Sequence, residues 1–327
     1  MTYIIQGNDP IYHHVPKAFE KGGLGEYDYR GKHYHMEKAP GTTRIVFMGD
    51  SFVYGLVEHN ETIPFYFEQL VHERFPDKRV EVLNFGNVSY SPVIHEVQYH
   101  RLIKPLHADA IIYLYDTCDP IDDVIYDHLA LYDESGVATA VRGEKFMNVG
   151  IRRSVFIRFL QFAYQTTKHG GRYIPQEEQL ANRSLFIKNP YIFKPWMEFS
   201  FSVLDRLSGA IIKDGTKFSL YQYPWPFHLR DAHEFKLFFQ GWGVLNGEWQ
   251  TPEEHLFGKI VMEHCQEKGL ICYDFAPEVR TMEEALGDGS RLRIYNNKDN
   301  HFTPFANLQF AKFILDKPAT QELLSGK

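Results

Sequence analysis

The sequence predicts an α/β protein built on a parallel sheet with helices on both faces. Three observations carry this. Short apolar runs recur along the chain, at Arg44–Met48, Val80–Phe85, Ala110–Tyr115, Lys217–Tyr223 and Leu270–Phe275. They alternate with segments of helical pattern. The runs at 44–48 (RIVFM) and 110–115 (AIIYLY) are apolar nearly throughout, where a half-exposed strand would alternate apolar with polar.

The elements follow in order. Residues 1–43 are polar and punctuated by Gly and Pro, and are read as an irregular arm. His13, His14, His33 and His35 in this arm have no matching carboxylates nearby and are read as solvated loop histidines. The first strand, Arg44–Met48, stops at Gly49-Asp50-Ser51, and a helix covers about Thr62–Phe75. The second strand, Val80–Phe85, stops at Gly86; a helix over Val93–Lys104 ends before Pro105. After the third strand, Asp127–Gly143 reads as a hairpin turning at Asp133–Gly136. Helical patterns lie at Ile151–Thr166 and Pro195–Ile212, with a polar stretch, His169–Pro190, between them. The span from about 124 to 215 therefore interrupts the strand–helix alternation with roughly ninety residues, a length expected of a cap or lid.

The fourth strand, Lys217–Tyr223, leads into Pro224-Trp225-Pro226 and an aromatic loop over His228–Gly247. A helix over Pro252–Lys268 has Thr251 as its expected N-cap, Glu254 three residues on, and Gly269 as its C-terminal glycine. The fifth strand is Leu270–Phe275, and a last helix covers Pro304–Leu315. The chain thus divides into an arm, 1–43, and one domain, 44–327, with the insertion inside it.

Composition narrows the function. Of 327 residues, 44% are hydrophobic and 24% charged, ordinary values for a globular chain. The formal net charge is -7 with no long basic run, which argues against a nucleic-acid partner. Aromatic residues make up 15%, enough for a large core or an aromatic-lined cleft. The three cysteines, Cys118, Cys265 and Cys272, suit neither a disulfide framework nor a zinc site. Cys265 and Cys272 flank a helix-to-strand connection and are expected as two buried thiols. No apolar run reaches the roughly 18 residues of a membrane span, and no signal peptide opens the chain. As written it is expected to be soluble and cytoplasmic; a protein that had lost an N-terminal anchor, and worked in the periplasm or outside the cell, would read the same.

Reactive residues gather where strands end. In a parallel sheet these ends share one edge, the usual ligand site of open α/β folds. Gly49-Asp50-Ser51 follows the first strand, Asn84-Phe85-Gly86-Asn87 closes the second, Asp116-Thr117-Cys118-Asp119 follows the third, and Asp299-Asn300-His301 precedes the last helix. Ester hydrolysis by a serine needs a base, a carboxylate to orient it, and N–H donors for the oxyanion. Ser51, His301 and Asp299 can fill the first roles, and the N–H groups of Ser51 and Gly86 the last. The acidic group Asp116, Asp119, Asp122, Asp123 and Asp127 lacks calcium-loop spacing and is expected as a solvated rim.

These motifs, in this order, resemble those of the SGNH (GDSL-type) hydrolases. Gly49-Asp50-Ser51 with Gly55 resembles the family's first block, Asn84-Phe85-Gly86 its second, and Asp299-x-His301 with Thr303 its last. The resemblance implies a three-layer α/β/α sandwich with five parallel strands in flavodoxin-like order. It implies a Ser51-His301-Asp299 triad working without cofactor or metal. The family's third block reads Gly-x-Asn-Asp, its asparagine donating to the oxyanion. Here that block is Asp116-Thr117-Cys118-Asp119, so Cys118 stands at the asparagine position. A thiol is a weak donor, and Asn87 is the other candidate for the missing contact.

The Tyr223–Pro226 segment and the insertion resemble the members encoded with bacterial surface-polysaccharide genes. That resemblance implies removal of acyl groups, O-acetyl in particular, from a small ester or a carbohydrate. It leaves two alternatives: an O-acetyltransferase on a surface polysaccharide, or a catalytically weakened glycan-binding relative. Asp50, Asp119, Tyr223 and Trp225 are the candidate substrate-lining residues; Tyr223-Pro224-Trp225-Pro226 is read as a strand-end turn stiffened by proline, with a sugar-stacking wall as the alternative.

Overall fold

The structure is a computed structural model; it describes residues 7–9, 11–15, 28–143, 194–225, 255–287, 290–296 and 301–325. Five strands form one parallel sheet: β1 (Thr42–Met48), β2 (Arg79–Asn84), β3 (Ala110–Tyr115), β4 (Lys217–Gln222) and β5 (Cys272–Asp274). Their order is β2-β1-β3-β4-β5, with every neighbouring pair parallel. This is the flavodoxin-like order. The chain leaves β1 for β2 on one side and returns to β3 on the other, which places the topological switch point at the ends of β1 and β3.

Side chains alternate between two cores, as strand geometry requires. Val46 and Met48 of β1 and Ile111, Tyr113 and Tyr115 of β3 face one core. It is closed by α3 (Pro92–Gln98), α4 (Asp119–Asp127), α5 (Lys194–Lys213) and α6 (Leu256–Lys268). Ile45, Phe47, Ile112 and Leu114 face the other. That core is closed by α1 (Ser51–Tyr54), α2 (Ile63–Arg74), α7 (Ala276–Leu286), α8 (Ser290–Ile294), α9 (Pro304–Asp316) and α10 (Pro318–Ser325). None of the described helices is long and apolar enough to cross a membrane.

Several expectations change. The helix expected over Val93–Lys104 is α-helical only to Gln98; a π turn (Tyr99–Ile103) and a 3-10 turn (Lys104–Leu106) follow, and Pro105 lies inside the latter. The described residues of the arm pack against the domain. Gly7–Asp9 pairs with His13–Val15, and Tyr29 and Tyr34 are buried against Phe85. His14 is buried with Nε2 2.6 Å from the Val88 carbonyl, so it is not a solvated histidine. The hairpin forms from Ala130–Tyr132 and Ala138–Val141. From the expected insertion, α5 lies in the layer covering the sheet, with Leu204, Leu207 and Ile211 in the core. The Ile151–Thr166 helix, the His169–Pro190 stretch, the 228–247 loop and the Thr251 cap fall outside the described residues.

The cysteine expectation is overturned. Cys265, in α6, and Cys272, opening β5, form a disulfide rather than two thiols. The Gly269 turn (φ 67°) folds the chain back so that their Cα atoms lie 6.2 Å apart, within disulfide reach.

Candidate active site

The site is built where β1, β2, β3 and β4 end. Beyond Met48 the chain turns at Gly49 and enters α1 at once. Asp50 caps this short helix, its Oδ1 accepting from Phe52 N–H at 2.9 Å. Ser51 is the first helical residue. The turn works because neighbouring backbone comes close. A Cβ on Gly49 would lie 2.6 Å from Val53 Cγ2, and one on Gly86 2.4 Å from the Tyr54 nitrogen. Glycine at these two positions lets α1 settle onto the ends of β2 and β3.

The adjoining segments lock the turn. Asn84 Nδ2 donates to the Val53 carbonyl at 2.8 Å, and Asn84 Oδ1 accepts from Gly86 N–H at 3.0 Å. The Gly49 carbonyl accepts from Asn87 N–H at 3.1 Å. It also lies 3.1 Å from Nε2 of His95, whose Nδ1 is 2.8 Å from the Tyr113 hydroxyl. His95 is fully buried, and desolvation pushes its pKa down to about 3, so the ring is neutral. A neutral ring that donates through Nε2 to Gly49 accepts through Nδ1 from Tyr113. His95 is thus a second histidine beside the nucleophile turn, holding backbone.

His301 arrives from the opposite end of the chain. Thr303 caps α9, its Oγ1 accepting from Ala306 N–H at 3.4 Å. Asn296 N–H donates to the His301 carbonyl at 2.7 Å, Tyr295 bridges Phe302, and Tyr295 donates its hydroxyl to the Pro224 carbonyl at 2.6 Å. Phe302 is buried against Phe52, and the His301 ring lies 4.7 Å from the Phe52 ring. The result is a 2.7 Å contact between His301 Nε2 and Ser51 Oγ, across 250 residues of sequence. Asp299 lies outside the described residues.

The remaining expected residues are placed as follows. Asn87 is fully buried next to the nucleophile turn. Cys118 is buried in the core that holds Phe52, Tyr223 and Trp225. The Gly86 amide faces the Asn84 side chain. Tyr223 and Trp225 are buried, which removes them as a sugar-stacking surface. Their polar tips turn inward: Tyr223 donates to Asp50 Oδ1 at 3.1 Å, and the Trp225 indole N–H donates to Asp116 Oδ1. Asp50 and Asp119 are buried too. Asp119 accepts from Asp116 N–H at 3.0 Å instead of facing a substrate.

The acidic group is not a solvated rim. Asp116, Asp119, Asp122, Asp123 and Asp127 are all buried. Strand register brings one of them, Asp116, level with the nucleophile. Met48 pairs with Tyr113 and Tyr115 pairs with Gln222, so continuing these pairings puts Asp50, Ser51, Asp116 and Tyr223 at nearly one level of the sheet edge. Desolvation, then the Asp50 charge, raises the Asp116 pKa well above the carboxylate range; desolvation and Asp116 do the same to Asp119.

No family model matches this sequence, and no curated protein does. Similar solved structures include an acetylxylan esterase from Geobacillus stearothermophilus, 10% identical over 84% of this chain and 92% of that one, with a TM-score of 0.44. A G-D-S-L family lipolytic protein from Desulfitobacterium hafniense is 12% identical over 83% of this chain and 97% of its own, with a TM-score of 0.42. A two-domain esterase active on acetylated mannans is 9% identical over 87% of this chain, with a TM-score of 0.45; the match spans 50% of that esterase. The chain's own sheet order is flavodoxin-like, and Gly49-Asp50-Ser51, Asn84-Phe85-Gly86 and His301 meet at one edge of that sheet, the arrangement that the resemblance drawn from the sequence motifs implies.

Proposed function

We propose that the chain is a serine-dependent ester hydrolase with Ser51 as nucleophile, His301 as base and Asp299 orienting His301. The observation that carries this reading is the 2.7 Å Ser51 Oγ–His301 Nε2 contact. It lies within the reach a general base needs. As Oγ bonds to the acyl carbon, its proton passes to Nε2 and the carbonyl electrons move onto oxygen. Collapse breaks the bond to the alcohol oxygen, which leaves with the proton from His301. Water, deprotonated by His301, then attacks the acyl-enzyme and releases the acid and free Ser51. The oxyanion is met by the N–H groups of Ser51 and Gly86, with Asn87 or Cys118 as the third donor. Gly86 N–H must turn from Asn84 Oδ1 to serve.

The substrate class is an O-acyl, specifically O-acetyl, carbohydrate ester. It rests on the resemblance to polysaccharide-linked relatives, and acetylated xylan and mannan are what two of the similar structures are named for. A second reading, transfer of the acetyl group to a sugar hydroxyl, is favoured by the burial of Ser51, 7% exposed. Exclusion of water lets another hydroxyl intercept the acyl-enzyme.

A fluorophosphonate probe is expected to label the wild type and not Ser51→Ala. His301→Ala is expected to lower kcat on an acetyl ester by about 10²–10⁴-fold. Release of acetate against accumulation of acetylated glycan separates hydrolysis from transfer. Absence of labelling and of turnover would refute both and leave a glycan-binding relative.

A further inference from the structure

Arg30 takes no part in the acyl-transfer steps, yet it closes the far end of α1. A helix leaves its last carbonyls without partners, and α1 is a single turn, so its carbonyls must find donors elsewhere. Asn84 Nδ2 meets the Val53 carbonyl at 2.8 Å. Arg30 meets two carbonyls beyond it: Nη1 donates to Gly55 at 3.2 Å and Nη2 to Val57 at 3.0 Å. The guanidinium also lies over the Tyr54 ring, 4.8 Å from its centroid. Gly55 is the link to the nucleophile. Its carbonyl is held by Arg30, and its N–H donates to the Ser51 carbonyl at 2.9 Å.

We propose that Arg30 is a positioning residue for Ser51: reaching in from the N-terminal arm, it fixes Gly55 and so sets where α1 holds the Ser51 hydroxyl and N–H. The inference rests on the reading of Ser51 as an esterase nucleophile. A serine whose base lies 2.7 Å away tolerates little displacement, because misplacement by about 1 Å can cost a hundredfold in rate. The helix resists such a shift weakly by itself. Its backbone bonds, Tyr54 N–H to the Asp50 carbonyl and Gly55 N–H to the Ser51 carbonyl, close one turn and no more.

The arm holds Arg30 in place through Asp28, which is buried. Asp28 Oδ1 accepts from Arg30 N–H and from Lys32 N–H, each at 2.9 Å, and Oδ2 accepts from Asn84 N–H at 2.9 Å. Tyr29 N–H donates to the Asn84 carbonyl at 2.9 Å. Gly31, left-handed at φ 85°, closes the turn with its N–H on the Asp28 carbonyl. One buried carboxyl therefore anchors both Asn84 and Arg30, the two side chains that take up the carbonyls of Val53, Gly55 and Val57. Lys32 docks the same stretch elsewhere, donating through Nζ to the Val82 carbonyl in β2 and to Glu68 in α2. Removing the Lys32 side chain loosens the arm and leaves the clamp on α1 intact.

The test uses the full chain and three variants, each checked for folding by thermal melting. Arg30→Ala is expected to slow Ser51 labelling by fluorophosphonate, and to lower kcat on an acetyl ester, about ten- to a hundredfold with KM unchanged. Arg30→Lys keeps the charge and loses the forked donor, so its rate is expected to fall between those of Arg30→Ala and the wild type. Lys32→Ala is expected to lower the melting temperature and to label at the wild-type rate. Hydrogen exchange reads the clamp without the chemistry: the Tyr54 and Gly55 amides are expected to exchange about tenfold faster in Arg30→Ala and at the wild-type rate in Lys32→Ala. A folded Arg30→Ala that labels like the wild type, a Lys32→Ala slowed as much as Arg30→Ala, or exchange at Tyr54 and Gly55 indifferent to Arg30 would overturn the proposal. Should Arg30→Ala not fold, Arg30→Lys takes its place in each comparison and overturns the proposal on the same terms. If wild-type Ser51 is never labelled, the esterase reading fails by itself, while exchange at Tyr54 and Gly55 still decides whether Arg30 holds α1.

Discussion

Asp123 accepts from Ser91 Oγ at 2.6 Å, from Val93 N–H at 2.8 Å and from Ser200 Oγ at 2.5 Å, all out of contact with water. Desolvation outweighs these donors and raises its pKa to about 7. The folded chain therefore binds a proton between the unfolded value of 3.8 and about 7, where the unfolded chain does not. This contribution is fully present below the unfolded value and is lost as pH rises through the folded one. The melting temperature is expected to fall from pH 5 to pH 8, and to fall less steeply in Asp123→Asn; equal slopes in the two proteins would refute the assignment. None of this is legible in DTCDPIDDVIYD, because acidic residues rarely go inside and a run of them reads as solvent-facing. Ser51 and His301 are legible, because each sits in a short motif beside a predicted strand or helix. His95 leaves no mark, lying in an apolar helical stretch like any satisfied core histidine.

The element that matters most is the four-residue helix α1, too short to hold its own shape. It is held by the Asp50 cap, by Asn84 Nδ2 on the Val53 carbonyl, and by the missing side chain at Gly86. Gly86→Ala would drive a methyl group to 2.4 Å from the Tyr54 nitrogen, so α1 must shift. The expected cost is about 1–3 kcal/mol of stability. Because Ser51 opens α1, Ser51 labelling is expected to slow more than the loss of folded protein accounts for. Circular dichroism beside labelling rates separates the two; an unchanged labelling rate in a folded variant would sink the idea. The sequence shows the glycine after the strand, but not which backbone lies against it.

Across the whole molecule, two cores and one sheet bring residues 250 apart into contact at the nucleophile. The disulfide between α6 and β5 ties one sheet edge to its covering helix. Closing so short a loop is worth about 2 kcal/mol on a chain-entropy account. Non-reducing peptide mapping is expected to recover Cys265 linked to Cys272, and a reductant or Cys272→Ser is expected to lower the melting temperature. Two unlinked thiols, with melting indifferent to reductant, would contradict this. Such a bond persists in oxidising surroundings.

The sequence by itself determined the parallel sheet, because runs such as AIIYLY have no polar face to give to water. It also determined the motifs that meet at the sheet edge, because parallel strands send all their carboxyl ends to one side. Tertiary structure alone decided what those residues touch. The level shared by Asp50, Ser51, Asp116 and Tyr223 depends on strand register, which no single strand encodes. The same register made Tyr223 and Trp225 buried donors and brought Asp116, from an expected acidic rim, into the interior level with Ser51.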